Sequence, residues 1–193
     1  MKKIGVVALQ GAFTDHLSTL HQLGAEAVPV RLPQEIEGLS GLIIPGGEST
    51  TIKKLMADYQ LLTPIKKLHK KGTPIFGTCA GMIILAKHNY KCRNEIHPLG
   101  FMDIEIRRNA FGRQVDSFEE DLPISVLGDQ PFHAIFIRAP WIENIGPGVE
   151  TLAKLKDGTP VAAQQENLLV SAFHPELTND PRFHAYFLSM VSK

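Results

Sequence analysis

Thr73-Pro74-Ile75-Phe76-Gly77-Thr78-Cys79-Ala80-Gly81-Met82-Ile83-Ile84-Leu85-Ala86 is the stretch on which the reading of this chain turns. Thr73–Phe76 is a short apolar run of the kind found in buried strands, and Met82–Ala86 continues as a helix. Between them stands a cysteine flanked at two residues' distance by glycines, the pattern of a strand-turn-helix elbow. Such a turn is too sharp for neighbouring Cβ atoms and strains the backbone of its central residue, which is why glycines surround it. It lifts the Cys79 sulfur out of the fold and sets it at a helix N-terminus, where the dipole and unpaired N–H groups favour negative charge. Taken alone, G-x-C-x-G is equally compatible with a buried structural cysteine.

A second element shifts the balance. Phe173-His174-Pro175-Glu176 follows the β-rich run Leu168-Leu169-Val170-Ser171-Ala172. A histidine at a strand's C-terminal end, with a carboxylate two residues on, supplies a base and the group that orients it. In isolation the motif would read as a surface His-Pro turn with a solvated glutamate. With both elements present, in the order of one triad, Cys79, His174 and Glu176 become the candidate catalytic set.

Composition narrows the classes. A chain of 193 residues suits one domain, here 1–193. Lys+Arg and Asp+Glu both number 20, so no basic field exists for nucleic acid or an anionic membrane surface. The one basic cluster, Lys66-Lys67 and Lys70-Lys71, fits the solvated end of a helix closing at Gly72. Two cysteines, Cys79 and Cys92, make no disulfide framework, as expected in a reducing cytosol. After Lys2-Lys3 the apolar run Ile4–Leu9 stops at Gln10, too short for a signal peptide, and nothing approaches a membrane span. The expectation is a soluble cytoplasmic protein.

Strands and helices alternate along the first half. Ile4–Leu9 is a continuous apolar run, as in a strand covered on both faces. Thr14 or Asp15 can cap a helix carrying Leu17, Leu20 and Leu23 and closed by Gly24. Ala27–Leu32 reads as a strand that Pro29 pushes towards a sheet edge. Leu42-Ile43-Ile44 is a third strand, ending in Pro45-Gly46-Gly47-Glu48-Ser49, after which Ile52, Leu55 and Met56 share a helical face. Beyond residue 98 the pattern becomes period two, with Met102, Ile104 and Ile106 alternating with Asp103, Glu105 and Arg107. Further strands are expected at 123–127, 132–138, 150–155, 160–165 and 168–173, the last two joined by a turn at Glu166-Asn167. Asp180-Pro181 opens a C-terminal helix. The order predicts an α/β fold: a mostly parallel central sheet with helices on both faces and an antiparallel extension.

Ligands in such folds collect at the carboxyl ends of the strands. Gln10-Gly11, Pro45-Gly46-Gly47-Glu48 and Cys79 all follow strands and should line one crevice. The Gly47 N–H and the Ala80 N–H can form an oxyanion hole, although a Gly-Gly pair also serves as an ordinary turn. No Gly-Lys-Ser/Thr follows, so this is not a phosphate loop.

These motifs resemble the triad-type, class I glutamine amidotransferases, which share a flavodoxin-like fold. Within that class, several segments are similar to the glutaminase subunits of pyridoxal 5′-phosphate synthases: Leu9–Phe13, Pro45–Thr51, Arg108–Gln114, Phe136–Pro140 and His174–Leu177. The resemblance runs nearly end to end, and the segments Arg108–Gln114 and Phe136–Pro140 discriminate between partners. It implies that Cys79 attacks the side-chain amide of L-glutamine and that His174, oriented by Glu176, moves the protons. It also implies that Gly47, Glu48, Ser49, Arg108, Ile137 and Arg138 bind the glutamine and that Gln10 helps shape the oxyanion region. For Arg108 and Arg138 a structural ion pair is the alternative, while the arginine fork suits an α-carboxylate. The implied partner is the (β/α)₈-barrel synthase subunit in a hetero-oligomer. No metal or organic cofactor is implied, and the scattered histidines show no ligand spacing. Alternatives are a glutaminase subunit serving another synthase, such as that of histidine biosynthesis, a stand-alone cysteine γ-glutamyl hydrolase, or a silent scaffold. The stretch Lys87–Ile96, with Cys92, and His97 beyond it carry no assignment.

Overall fold

A computed structural model of the chain describes residues 2–89, 99–108 and 117–191. Cys92, His97 and the 109–114 part of the partner-discriminating segment lie outside the described residues. From the N-terminus come β1 (Lys3–Val7), α1 (Phe13–Gln22), β2 (Glu26–Val30), β3 (Gly41–Ile44), α2 (Ser49–Asp58) and α3 (Leu62–Lys70). The elbow joins β4 (Ile75–Thr78) to α4 (Ala80–Leu85), and β5 (Ala86–Asn89) follows directly. The remainder is β6 (Met102–Arg107), β7 (Ser117–Leu122), β8 (Phe132–Ile137), β9 (Trp141–Ile145), β10 (Glu150–Lys154), β11 (Pro160–Gln165), β12 (Leu168–Ser171) and α5 (Arg182–Met190).

The main sheet has seven strands in the order β10-β11-β12-β4-β3-β1-β2. From β12 to β2 the pairings are parallel, whereas β10 and β11 add antiparallel strands beyond β12. Every residue of β3, β4 and β12 is buried, as the unbroken apolar runs required. Pro29 sits in β2 at the sheet edge, where its missing N–H leaves no neighbour unpaired. Successive residues of β4 show helices on both faces. The Phe76 ring lies 5.5 Å from Phe183 and 5.6 Å from Phe187 of α5. Gly77 faces the other way, where a Cβ would come within 2.6 Å of the Gly81 carbonyl carbon in α4.

The period-two segment is β6, buried at Met102, Ile104 and Ile106, and it pairs antiparallel with β9. The turn at Glu166-Asn167 joins β11 to β12 with Glu166 left-handed at φ 51°. Asp180 Oδ1 accepts from the Arg182 N–H at 3.0 Å as α5 begins.

Three expectations need correction. The strand placed at 123–127 lies earlier, as β7, and Ser125–Leu127 is a 3-10 turn. Glu119, Glu120 and Asp121 hid β7, which among the described residues pairs only with β8 and holds on through Phe118 stacked at 4.4 Å on Phe136. Neither Thr14 nor Asp15 caps α1; the helix starts at Phe13, and the Ala12 N–H donates to the Gly46 carbonyl at 3.2 Å. The helix after Cys79 stops at Leu85, because Ala86 turns extended to pair with Met102. β5 and β9 are short and locally polar, and only their pairing with β6 makes them strands. Among the described residues no helix is long and apolar enough to cross a membrane.

The elbow is locked by close approach. A Cβ on Gly81 would lie 2.0 Å from the Ile44 carbonyl oxygen, so Gly81→Ala must push α4 away from β3. Denaturant unfolding should show a loss of about 3 kcal/mol. Gly24→Ala should lose roughly 1 kcal/mol, since φ there is +75° and no atom lies within 4 Å of the new Cβ. Equal losses would mean that α4 is not locked.

Candidate active site

Cys79 occupies φ 48°, ψ −101°, a conformation costly for any residue with a side chain. Two backbone hydrogen bonds hold it there. Its N–H donates to the Ser171 carbonyl of β12 at 2.8 Å, and its carbonyl accepts from the Ile83 N–H of α4 at 3.2 Å. His174 follows β12, and its N–H donates to the Ile135 carbonyl at 2.8 Å. The imidazole is packed against the loop after β3: a Cβ on Gly46 would lie 2.4 Å from His174 Cε1. Gly46 is therefore a glycine because the histidine needs the space.

His174 Nδ1 donates to Glu176 Oε1 at 2.7 Å, and the Glu176 carboxylate is wholly shielded from solvent. Burial disfavours charge on His174, but hydrogen bonds to Cys79 and Glu176 outweigh it and raise its pKa to about 10. The imidazole is thus held positively charged between the cysteine and the glutamate. Cys79, His174 and Glu176 come together as expected.

A cleft of about 390 Å³ opens over Cys79 and His174, and it also takes in Gln10, Gly47, Glu48, Ser49, Arg108, Ile137 and Arg138. Glu176 stands behind His174, outside that lining, and Ala80 is the first residue of α4, where a helix N–H has no intrahelical acceptor. Gln10 Oε1 accepts from the Glu48 N–H at 2.8 Å, tying the loop after β1 to the loop after β3. Glu48 caps α2, accepting from the Thr51 hydroxyl at 2.8 Å and from the N–H groups of Thr51 and Thr50 at 2.6 Å and 3.1 Å. Those bonds, the Thr51 hydroxyl first, hold its carboxyl at about 2. Arg108 Nη2 lies 3.8 Å from Glu48 Oε1, so this arginine both lines the cleft and faces a carboxylate. Arg138 is left-handed at φ 43°, which ends β8 and turns the chain at the cleft. The Ile137 carbonyl is 4.0 Å from Cys79 Sγ.

Several residues escaped the sequence reading. Ile83 lines the cleft beside Cys79, a consequence of its place one turn into α4. His16 and His184, both without solvent exposure, lie behind the triad with Nδ1 of one and Nε2 of the other 2.8 Å apart. The available signal for His16 was its spacing, four residues before the buried Leu20 on one face of α1. Among the described residues no group of histidine, cysteine and acidic side chains is arranged to hold a metal ion.

Solved structures share this architecture. A glutamine amidotransferase crystal structure matches with TM-score 0.90 and 48% identity, over 97% of this chain and 98% of that one. PurLQS from Thermotoga maritima shows the same fold at TM-score 0.74 and 14% identity, over 99% of each chain. The chain belongs to the SNO glutamine amidotransferase family, which it matches over residues 6–193. Its relatives include the pyridoxal 5′-phosphate synthase subunit PdxT of Dehalococcoides mccartyi, 60% identical over 98% of this chain and 97% of that protein. PdxT of Moorella thermoacetica is 55% identical over 98% of this chain and 99% of that protein.

The buried histidines predict an acid limb. Desolvation lowers the pKa of His184 to about 4 and, joined by repulsion from His184 and His174, pushes His16 well below its ordinary value. Both are neutral in the fold, so their contribution is complete above the unfolded value of about 6.5 and is lost as pH falls towards 4. His174 has the opposite sign: its stabilisation is complete below about 6.5 and lost as pH rises through about 10. Urea midpoints should fall between pH 6.5 and 4, and His184→Gln should flatten that fall while lowering stability at pH 7. An unchanged acid limb would contradict burial of a neutral His184.

Proposed function

We propose that this chain hydrolyses L-glutamine to L-glutamate and ammonia, and that the ammonia passes to the barrel subunit of a pyridoxal 5′-phosphate synthase. The observation that carries the reading is Cys79 and His174 at the floor of a polar cleft with Glu176 behind the imidazole, in a chain 60% identical to a PdxT subunit. Cys79 sulfur attacks the amide carbon of the glutamine side chain, its proton passing to His174. The oxygen becomes an oxyanion held by the Gly47 and Ala80 N–H groups, with Gln10 fixing the loop that carries Gly47. His174 then gives its proton to the departing nitrogen, the C–N bond breaks, and a glutamyl thioester remains. Water, deprotonated by His174, attacks the thioester and releases glutamate and the thiolate.

The rest of the cleft suits an amino acid. Arg108 and Arg138 bring fork-shaped cations to an α-carboxylate, and Glu48 brings a carboxylate that stays charged for an α-ammonium group. Gly47, Ser49 and Ile137 complete the pocket around the bound glutamine. We take residues 1–193 as one glutaminase unit, working in the cytoplasm, where Cys79 stays reduced. Ammonia freed in water would be protonated and lost, so the barrel subunit should dock over the cleft mouth and receive it.

Ammonia release from glutamine, measured with and without the barrel subunit, tests this. Weak activity alone and strong stimulation in the complex are expected. Cys79→Ala should lose about 10⁶-fold, His174→Ala nearly as much, and Glu176→Gln less, because Glu176 orients the imidazole without exchanging protons with substrate. Full activity without a partner would point instead to a stand-alone hydrolase. Stimulation by a different synthase would keep the glutaminase and replace the pathway.

A further inference from the structure

Behind the triad lies polar machinery that the proposed reaction does not use. Glu176 accepts the His174 proton donor on Oε1, while Oε2 is buried and makes no hydrogen bond of ordinary geometry. His16 Nε2 of α1 lies 3.4 Å from that oxygen, and both side chains are fully buried. The same Nε2 lies 3.3 Å from Thr78 Oγ1, on the residue that precedes Cys79. On its other side, His16 Nδ1 is 2.8 Å from His184 Nε2 of α5, and His184 Nδ1 is buried without a partner.

These contacts admit two directions of hydrogen bonding, and they are not equivalent. If His16 carried its proton on Nδ1, it would donate to His184 Nε2. His184 would then bear a buried N–H on Nδ1 with no acceptor, and the His16 Nε2 lone pair, although it could accept from the Thr78 hydroxyl, would face a carboxylate oxygen. If His16 carries its proton on Nε2, that N–H has Thr78 Oγ1 at 3.3 Å and Glu176 Oε2 at 3.4 Å to face, and His184 Nε2–H donates to His16 Nδ1. On His184 the unpartnered atom is then an imidazole lone pair, which is less costly to bury than an N–H.

We propose that His16 is a positioning residue for the triad: a neutral imidazole in the Nε2–H form that steadies Glu176 through Oε2, with its tautomer set by the His184 Nε2–H. The arrangement ties the orienting carboxylate to α1, α5 and the end of β4 at once. It fixes the direction in which Oε1 meets His174. It also supplies polar contact for a carboxylate that has no access to water. His16 reaches neither cleft nor substrate and acts only through Glu176. The effect on turnover rests on the glutaminase reading above; the tautomer does not.

Two measurements on the full chain test it. In ¹⁵N-histidine NMR of the unmodified protein near neutral pH, one buried imidazole, assigned by its loss in His16→Gln, should show a protonated Nε2 and a bare Nδ1. A proton on Nδ1, or on both nitrogens, would overturn the proposal whether or not glutamine is the substrate. In the complex with the barrel subunit, His16→Leu should lower kcat for glutamine about ten- to a hundredfold and leave KM within about twofold. His16→Gln, which can return an N–H to Oε2, should recover most of that loss. A fall in kcat that follows lost thermal stability equally in both variants, or no fall in a folded His16→Leu, would reduce His16 to a packing residue.

Discussion

The left-handed turn at Cys79 is the constraint on which the other parts depend. A residue with a side chain holds φ 48° only when its surroundings leave no alternative. Here the surroundings are a strand on one side, a helix on the other and three glycines whose missing side chains are all occupied by neighbours. Gly77 and Gly81 let α4 lie against β4 and β3, and Gly46 lets His174 reach the sulfur. Removing the strain would require moving α4, and moving α4 would disturb the sheet. The reactive geometry is therefore carried by the most buried part of the protein.

The electrostatics are layered in the same way. Nearest the cleft, His174 is kept charged between Cys79 and Glu176. Behind it the carboxylate has no solvent, and behind that two histidines are kept neutral by burial. The cleft mouth is wetter: Glu48 and Arg108 are half exposed and lie 3.8 Å apart, and the Glu48 carboxylate also caps α2. A site built this way is rigid at its floor and accessible at its rim.

Much of this was legible in the sequence because the decisive features are local. The elbow, the His-Pro-Glu step and the apolar runs of β1, β3, β4 and β12 each declare themselves within a few residues. What escaped was non-local. β7 looks like an acidic loop until β8 is beside it, and β5 is a strand only because β6 offers it a partner. His16 and His184 are 168 positions apart, and nothing short of the packed sheet brings them together. The start of α1 is non-local in the same way: the Ala12 N–H is met by the Gly46 carbonyl of a distant loop, not by a side chain of α1 itself.

The central claim is that the elbow makes Cys79, and not simply any free thiol, the nucleophile towards a glutamine side chain. Treating the native protein with an electrophilic glutamine analogue and mapping the modified peptide by mass spectrometry tests it directly. A single adduct on Cys79, blocked by excess glutamine and absent from the denatured chain at the same reagent concentration, is the predicted result. Modification at Cys92 in place of Cys79, or labelling of Cys79 that glutamine does not slow, would contradict it.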